Sequence, residues 1–243
     1  MKIGICDYGI GGIGLYKILR AQTTADIIYF SDSGFTPYGK VPAEDLKTRL
    51  DNVFNFFHNE GVAYVAVACN AASTVIRKTQ YTTGIIEHGL RMVERFGPKE
   101  IAVAGGYRTI ESNAYKTPLE QLGIKVTQRV AQPLSIRIEA GDLDSMELSA
   151  DITAIFEPVK NVSHILLACT HYPVIAAKIA EHVPNAILLD PVHEMAQWIM
   201  SNWIPLDGHS TTRWITSGDT LQMISAAEAA YQVTISSVEN ITL

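Results

Sequence analysis

No stretch of the 243 residues approaches the eighteen or so consecutive apolar positions of a membrane span, so no membrane partner is expected. Positive charge is also in short supply. The 19 Lys and Arg residues are outnumbered by 25 Asp and Glu, giving a net charge of −6. That balance argues against nucleic-acid binding, which normally shows as a basic stripe. Cysteine occurs only three times, an odd and small number that makes no disulfide framework. Free thiols suit a reducing compartment, so a cytoplasmic setting is expected. Met1-Lys2-Ile3 passes directly into a strand pattern, which gives the expectation of no secretory signal. No long low-complexity linker interrupts the chain, so any two halves should pack tightly together. What remains, at 47% hydrophobic and 18% charged, is the composition of an ordinary soluble globular protein. The length fits one large or two modest domains with a real core.

Two of the scarce cysteines stand in matching places. Residues 61–68 form an apolar, β-branched run that ends in Cys69-Asn70-Ala71-Ala72-Ser73. His164-Ile165-Leu166-Leu167-Ala168 does the same, ending in Cys169-Thr170-His171-Tyr172-Pro173. Each reads as a buried parallel strand whose C-terminal end presents a thiol. One strand-end cysteine is usually core packing. Two at equivalent ends suggest a pair facing one another across a site. Cys6, by contrast, reads as simply buried, and Trp198 and Trp203 as core or subunit contact.

Around these strands the pattern alternates. Strands are expected at Lys2–Cys6, Asp26–Phe30, Ile85–Gly89 (a short strand and its loop), Glu100–Ala104, Ile124–Val130, Ala186–Asp190 and Arg213–Thr216. Helices are expected at Leu15–Arg20, from Pro42 to about Asn59, from Ile110 to Leu122, after Pro133, and from Thr220 to about Tyr231. Leu46, Leu50, Val53, Phe54 and Phe57 give the second of these a helical apolar stripe. Alternation of this kind predicts an α/β fold with mainly parallel sheets. The pattern restarts near residue 95. Two similar α/β domains are therefore expected: residues 1–94 with 208–243 form the Cys69 half, and 95–207 form the Cys169 half. Sites at the carboxyl ends of their strands put both thiols in the cleft between them.

Two rival chemistries can be read from the same residues. Gly9-Ile10-Gly11-Gly12-Ile13-Gly14 follows a strand and satisfies G-x-G-x-x-G, and Asp32 falls at about the right distance for a ribose contact. This is a dinucleotide-binding fingerprint, although the strand ends in Asp7, a charge poorly placed beside a pyrophosphate. Cys69, Cys169 and His171 could be imagined around zinc, but they lack its usual ligand spacing.

Asp7 with its glycines, Pro37-Tyr38-Gly39, Ala68-Cys69-Asn70, Thr109-Ile110-Glu111-Ser112, residues 167–173 and Ser217-Gly218-Asp219 come in an order that resembles the cofactor-independent aspartate/glutamate racemase family. Within it the glutamate racemase branch is the most similar. The likeness runs nearly the whole length. It implies racemisation of an amino acid, glutamate or aspartate, with supply of D-glutamate to peptidoglycan if glutamate is the substrate. Inverting an α-carbon needs an acid/base group on each face of the substrate, one protonated and one not. Cysteine, with an ordinary pKa near 8.5, suits both roles. By resemblance Cys69 and Cys169 are the two bases, with Asp7 beside one and His171 beside the other. Glu139 is a further carboxylate of the site. Both thiols precede expected helix starts, which should favour the thiolate.

The resemblance further assigns Tyr8, Pro37, Tyr38, Gly39, Asn70, Ala71 and Thr170 to the substrate. The Tyr38-Gly39 backbone would take the side-chain carboxylate, and Asn70 and Thr170 the α-carboxylate and α-amino groups. No cofactor and no metal are implied, and no lysine marks a Schiff-base site. The partner is a small amino acid, and a homodimer is allowed. Three positions depart from the family pattern. Tyr8 replaces a serine, Ala71 a threonine, and Gln132 a cysteine that often precedes the proline. The thiol pair is kept while hydroxyls that contact the amino acid are gone, so racemase chemistry is better supported than glutamate as substrate. A racemase-like binding protein with weak turnover, or a different substrate, is the alternative these changes keep open. Taken singly, Asp7 reads as a turn or cap residue, His171 as a structural hydrogen-bonding residue and Glu139 as a solvated helix face.

Overall fold

Strands rich in Ile, Val, Leu and Ala with no polar alternation need cover on both faces, and the molecule supplies it with helices. The computed structural model describes residues 1–243. The first series is β1 (Lys2–Asp7), α1 (Ile13–Gln22), β2 (Asp26–Ser31), α2 (Ala43–Asn59), β3 (Tyr64–Val67), the short α3 (Asn70–Ser73), β4 (Thr82–Gly84) and α4 (Ile85–Phe96). The second is β5 (Glu100–Gly105), α5 (Tyr107–Glu111), α6 (Lys116–Gln121), β6 (Lys125–Val130), α7 (Gln132–Glu139), α8 (Met146–Phe156), β7 (His164–Ala168), α9 (Ala176–His182), β8 (Ile187–Leu189) and α10 (Pro191–Asn202). The chain closes with β9 (Thr212–Thr216), α11 (Thr220–Tyr231) and β10 (Glu239–Asn240).

The strands form two sheets, β10-β9-β2-β1-β3-β4 and β6-β5-β7-β8, and every pairing in both is parallel. The α/β class with two parallel sheets is the one the alternation predicts. Register fixes the heights of the strand ends. Cys6 pairs with Val67, so Asp7 and the Ala68-Cys69 segment leave neighbouring strands side by side. Gly105 pairs with Ala168, so Gly106 and Cys169 do the same in the second sheet.

Ile3, Ile5, Ile10, Ile13 and Leu19 are fully buried in the first core, each worth roughly 1.5–3 kcal/mol of transfer free energy. Leu134, Ile138, Leu148, Ile152 and Ile165 play that part in the second. Helix α10 follows the last strand of the second sheet. Even so, Val192, Met195, Ala196, Ile199 and Trp203 sit in the first core, and Trp203 stacks on Tyr64 with ring centroids 4.9 Å apart. Trp203 is thus core, and Trp198, half-buried, packs edge-on against it.

Two local expectations are corrected. Ile85–Gly89 is not a strand: β4 ends at Gly84, and α4 begins at once with Ile85, Ile86, His88, Gly89, Met92 and Val93 buried. That spacing is a helical stripe, and Ile85-Ile86 mimics a strand only when read alone. The helix expected from Ile110 to Leu122 is broken into α5 and α6, because Asn113 takes a left-handed φ of 54° between them. Asparagine tolerates that conformation better than most residues.

Candidate active site

The C-terminal ends of the strands in both sheets enclose one cavity of about 390 Å³. Asp7 and Tyr8 enter from the end of β1, and Pro37, Tyr38 and Gly39 from the turn after β2. Cys69, Asn70 and Ala71 come from the β3–α3 junction, Glu139 from the end of α7, and Cys169, Thr170 and His171 from the end of β7. Every residue the resemblance assigns to catalysis or to the substrate lines this one space. So do Lys40, Gly106, Tyr107, Arg108, Thr109, Gln132, Ser135, Ile136 and Gln222, which the sequence reading did not assign to it. The missed group Gly106–Thr109 follows β5. The rule that ligands gather at strand carboxyl ends, applied to that strand, would have found it.

On the Cys169 side the groups form a chain. Cys169 Sγ lies 3.7 Å from His171 Nδ1, and His171 Nε2 lies 2.5 Å from a Glu139 carboxylate oxygen. That oxygen also accepts from the Ile10 backbone N–H at 3.2 Å, tying the relay to the loop after β1. Burial works against a charged imidazole. The hydrogen bonds and charges of Cys169 and Glu139 outweigh it and hold the His171 pKa well above its ordinary value. Glu139 is therefore part of the cavity wall and not a solvated helix face.

The Cys69 side is different. Cys69 is buried, and burial with the negative charge of Asp7 pushes its thiol well up, against hydrogen bonds from backbone N–H groups. The expectation that a helix start favours its thiolate is corrected: α3 is a four-residue helix, and desolvation wins. Asp7 is also buried, which raises its pKa from 3.8 to about 6 despite the nearby charge of His171 and the Thr170 hydroxyl. Thr170 donates to Asp7 at 2.9 Å and the Tyr8 N–H at 2.7 Å. The Thr170 hydroxyl hydrogen is thus engaged by the protein itself.

Asn70 is held from behind. The Tyr115 hydroxyl donates to its Oδ1 at 2.8 Å, while its Nδ2 is buried without a partner at the cavity wall. A donor in that position is free for a ligand oxygen. Tyr8 leans on Tyr38 with ring centroids 5.2 Å apart and its hydroxyl donates to the Phe35 carbonyl at 3.3 Å. Where a serine would leave a small hydroxyl, the wall is aromatic. Ala71 contributes only a methyl. Gln132 accepts from the Tyr107 N–H at 3.3 Å and donates to Ser135 at 2.9 Å.

The rival readings fail on geometry. A Cβ at Gly9 would overlap the Glu139 carboxylate, and one at Gly11 the Thr170 hydroxyl. The glycine loop is therefore close-packed against the other half, with no room for a pyrophosphate. Asp32 is fully buried. It accepts from Arg49 Nη2 at 2.5 Å, from the Tyr38 hydroxyl at 2.6 Å and from the Ser217 hydroxyl at 2.7 Å, so it anchors the Pro37–Lys40 turn and cannot reach a ribose. No three His, Cys, Asp or Glu side chains converge as a metal site requires. Cys6 is buried and free, as expected.

A two-sheet α/β fold with a thiol from each sheet in one cavity matches a known class: the chain belongs to the Asp/Glu/hydantoin racemase family, whose pattern covers residues 15–199. Membership makes it an amino-acid racemase, an isomerase. Its relatives narrow the comparison. Glutamate racemase 1 of Caldanaerobacter subterraneus subsp. tengcongensis is 29% identical over 240 residues, spanning 93% of this chain and 90% of that one. Glutamate racemase of Helicobacter pylori (strain G27) is 33% identical over 191 residues, 74% and 75% of the two chains. Among solved structures, glutamate racemase from Francisella tularensis in complex with D-glutamate shares the fold with a TM-score of 0.89 at 24% identity, over 99% of this chain and 97% of that one. No helix is long and apolar enough to cross a membrane.

Proposed function

We propose that the protein interconverts the enantiomers of glutamate in the cytoplasm by two-base proton transfer between Cys69 and Cys169. The observation that carries this reading is a cavity with one thiol from each sheet, Cys69 buried beside Asp7 and Cys169 within 3.7 Å of the His171 imidazole. In one direction Cys169, as thiolate paired with the His171 imidazolium, takes the α-proton from one face. Cys69, kept as a thiol by burial and Asp7, gives its proton to the other face. Cα is inverted, and the enzyme is left with a Cys169 thiol and a Cys69 thiolate; the opposite direction runs the same steps in reverse.

The intermediate carries carbanion character that spreads onto the α-carboxylate. The Asn70 amide, aimed by Tyr115, is suited to stabilise that charge. Glu139 fixes the imidazole ring and its charge, and Thr170 fixes Asp7. Nothing in these steps calls on a cofactor.

Racemisation followed by circular dichroism in D₂O tests the proposal. Wild type should place deuterium at the product α-carbon, and Cys69→Ala and Cys169→Ala should each abolish turnover. A fully active single variant, or protium retained through turnover, would overturn the two-base reading. Binding of glutamate without any turnover would favour a binding protein, the reading that the Tyr8 wall supports.

A further inference from the structure

Arg108 carries the one strongly basic group that is both partly enclosed in the cavity and fixed in position. It stands in α5, just beyond the end of β5 in the second sheet. Its Nε donates to the Tyr38 carbonyl at 2.8 Å, reaching across to the turn that follows β2 in the first. A guanidinium has five N–H donors in a planar fork, and the bond to Tyr38 uses one. Nη1 and Nη2 have no hydrogen-bond partner in the protein, and no carboxylate forms an ion pair with them. The other basic groups at the cavity are spoken for or loosely held: His171 is paired with Glu139, and Lys40 is exposed.

The position is informative about the ligand. The reacting carbon must sit between the two thiols. With the α-carboxylate at the Asn70 amide, as the proposed function has it, the Pro37–Gly39 wall is left for the rest of the substrate, and Arg108 is pinned to that wall. Its surroundings are polar and shaped. Gln132, in contact with Gly106 and Gly39, forms the adjoining surface. A partly desolvated cation with two idle donors in a fixed plane is complementary to a carboxylate, which takes both bonds at once. Burial presses against the Arg108 charge, and the nearest opposing influences are Glu111 and the Cys69 sulfur. An incoming anion would relieve that imbalance.

We infer that Arg108 binds the distal carboxylate of a dicarboxylic amino acid end-on through Nη1 and Nη2, and so sets the substrate class of the site. The inference rests on the racemase reading above. It also accounts for how acidic substrates would be held where the Tyr8 hydroxyl is turned onto the Phe35 carbonyl and Ala71 has none: the side-chain end supplies the added grip.

The test compares wild type, Arg108→Gln and Arg108→Lys on glutamate and on glutamine, which differ only in the distal group. Arg108→Gln should raise KM for glutamate roughly ten- to hundredfold with kcat changed far less, and the preference for glutamate over glutamine should collapse. Arg108→Lys, which keeps the charge without the fork, should fall between. Losing only the Tyr38 contact would lower the melting temperature and weaken both substrates alike. Equal effects on glutamate and glutamine, an unchanged KM for glutamate, or a wild type that prefers a neutral amino acid would overturn the inference. If wild type turns over no amino acid, the racemase reading fails separately. Calorimetric titration with glutarate then decides Arg108: binding lost in Arg108→Gln and present in wild type supports it, and equal or absent binding in both overturns it.

Discussion

Asp7 illustrates how much a single buried carboxylate can govern. Its pKa in the folded protein, about 6, lies above the ordinary 3.8, so the native state holds this proton more tightly than the unfolded chain does. The associated stability is fully present below about pH 4 and is lost as pH rises through about 6. The interval corresponds to roughly 3 kcal/mol. Asp7→Asn should therefore melt higher than wild type near pH 7.5, less whatever the Thr170 hydrogen bond contributes, and gain nothing near pH 4. The same variant should lose the acid limb of kcat/KM near pH 6 if the carboxylate form serves catalysis; calorimetry and a pH–rate profile read the two effects separately. Tyr8 and Ala71 make a second test. Restoring hydroxyls in Tyr8→Ser with Ala71→Thr adds two hydrogen-bonding groups to the wall, each worth about 0.5–1.5 kcal/mol, or roughly 3 toward a charged group. Steady-state circular dichroism should show glutamate kcat/KM rising about ten- to a thousandfold. No gain in an already efficient enzyme would make the two replacements neutral.

Among elements, the loop from Tyr8 to Gly12 does more than connect β1 to α1. Its glycines let the first half approach Glu139, Thr170 and His171 of the second until side chains touch backbone. Gly9→Ala forces the Glu139 carboxylate aside, so it should reproduce much of the loss of kcat caused by Glu139→Gln, which we expect to be roughly tenfold or more. The double variant should be little worse than either single one, since both break the same contact. Additive losses would show that the loop acts elsewhere.

This loop also marks the limit of what the sequence tells. Its glycine spacing fits a nucleotide fingerprint and a packing device equally well, because the difference lies in residues more than a hundred positions away. The paired thiols were legible, since strand ends and apolar runs are local signals. The strength of the Glu139–His171 pairing and the reversal of the Cys69 thiol were not, because both depend on burial created by the second half. The break at Asn113 and the helical start at Ile85 were missed for a related reason: short apolar runs carry no period of their own.

At the scale of the whole molecule, α10 ties the halves together. It belongs in sequence to the second series and in packing to the first core, where Trp203 is almost wholly buried. Heating should therefore give one calorimetric transition, with equal van't Hoff and calorimetric enthalpies, and saturation with glutamate should move it as a unit. At a hundred times its Kd the ligand adds about 2.7 kcal/mol. Two resolved transitions would mean that the halves unfold separately and that α10 is a weak clasp.

There is also a matter of timing. Strand β9 lies between β2 and β10 in the first sheet, yet it is synthesised after the whole second series. Until it emerges, one edge of β2 and much of the first core stay open, at the stage when a nascent chain is most exposed to wrong partners. The second sheet has all its own strands by Leu189 and can form first. The part made earliest must wait for the part made last, and a ribosome stalled before Thr212 would release a chain with both site thiols in place and the edge of β2 beside them unpaired.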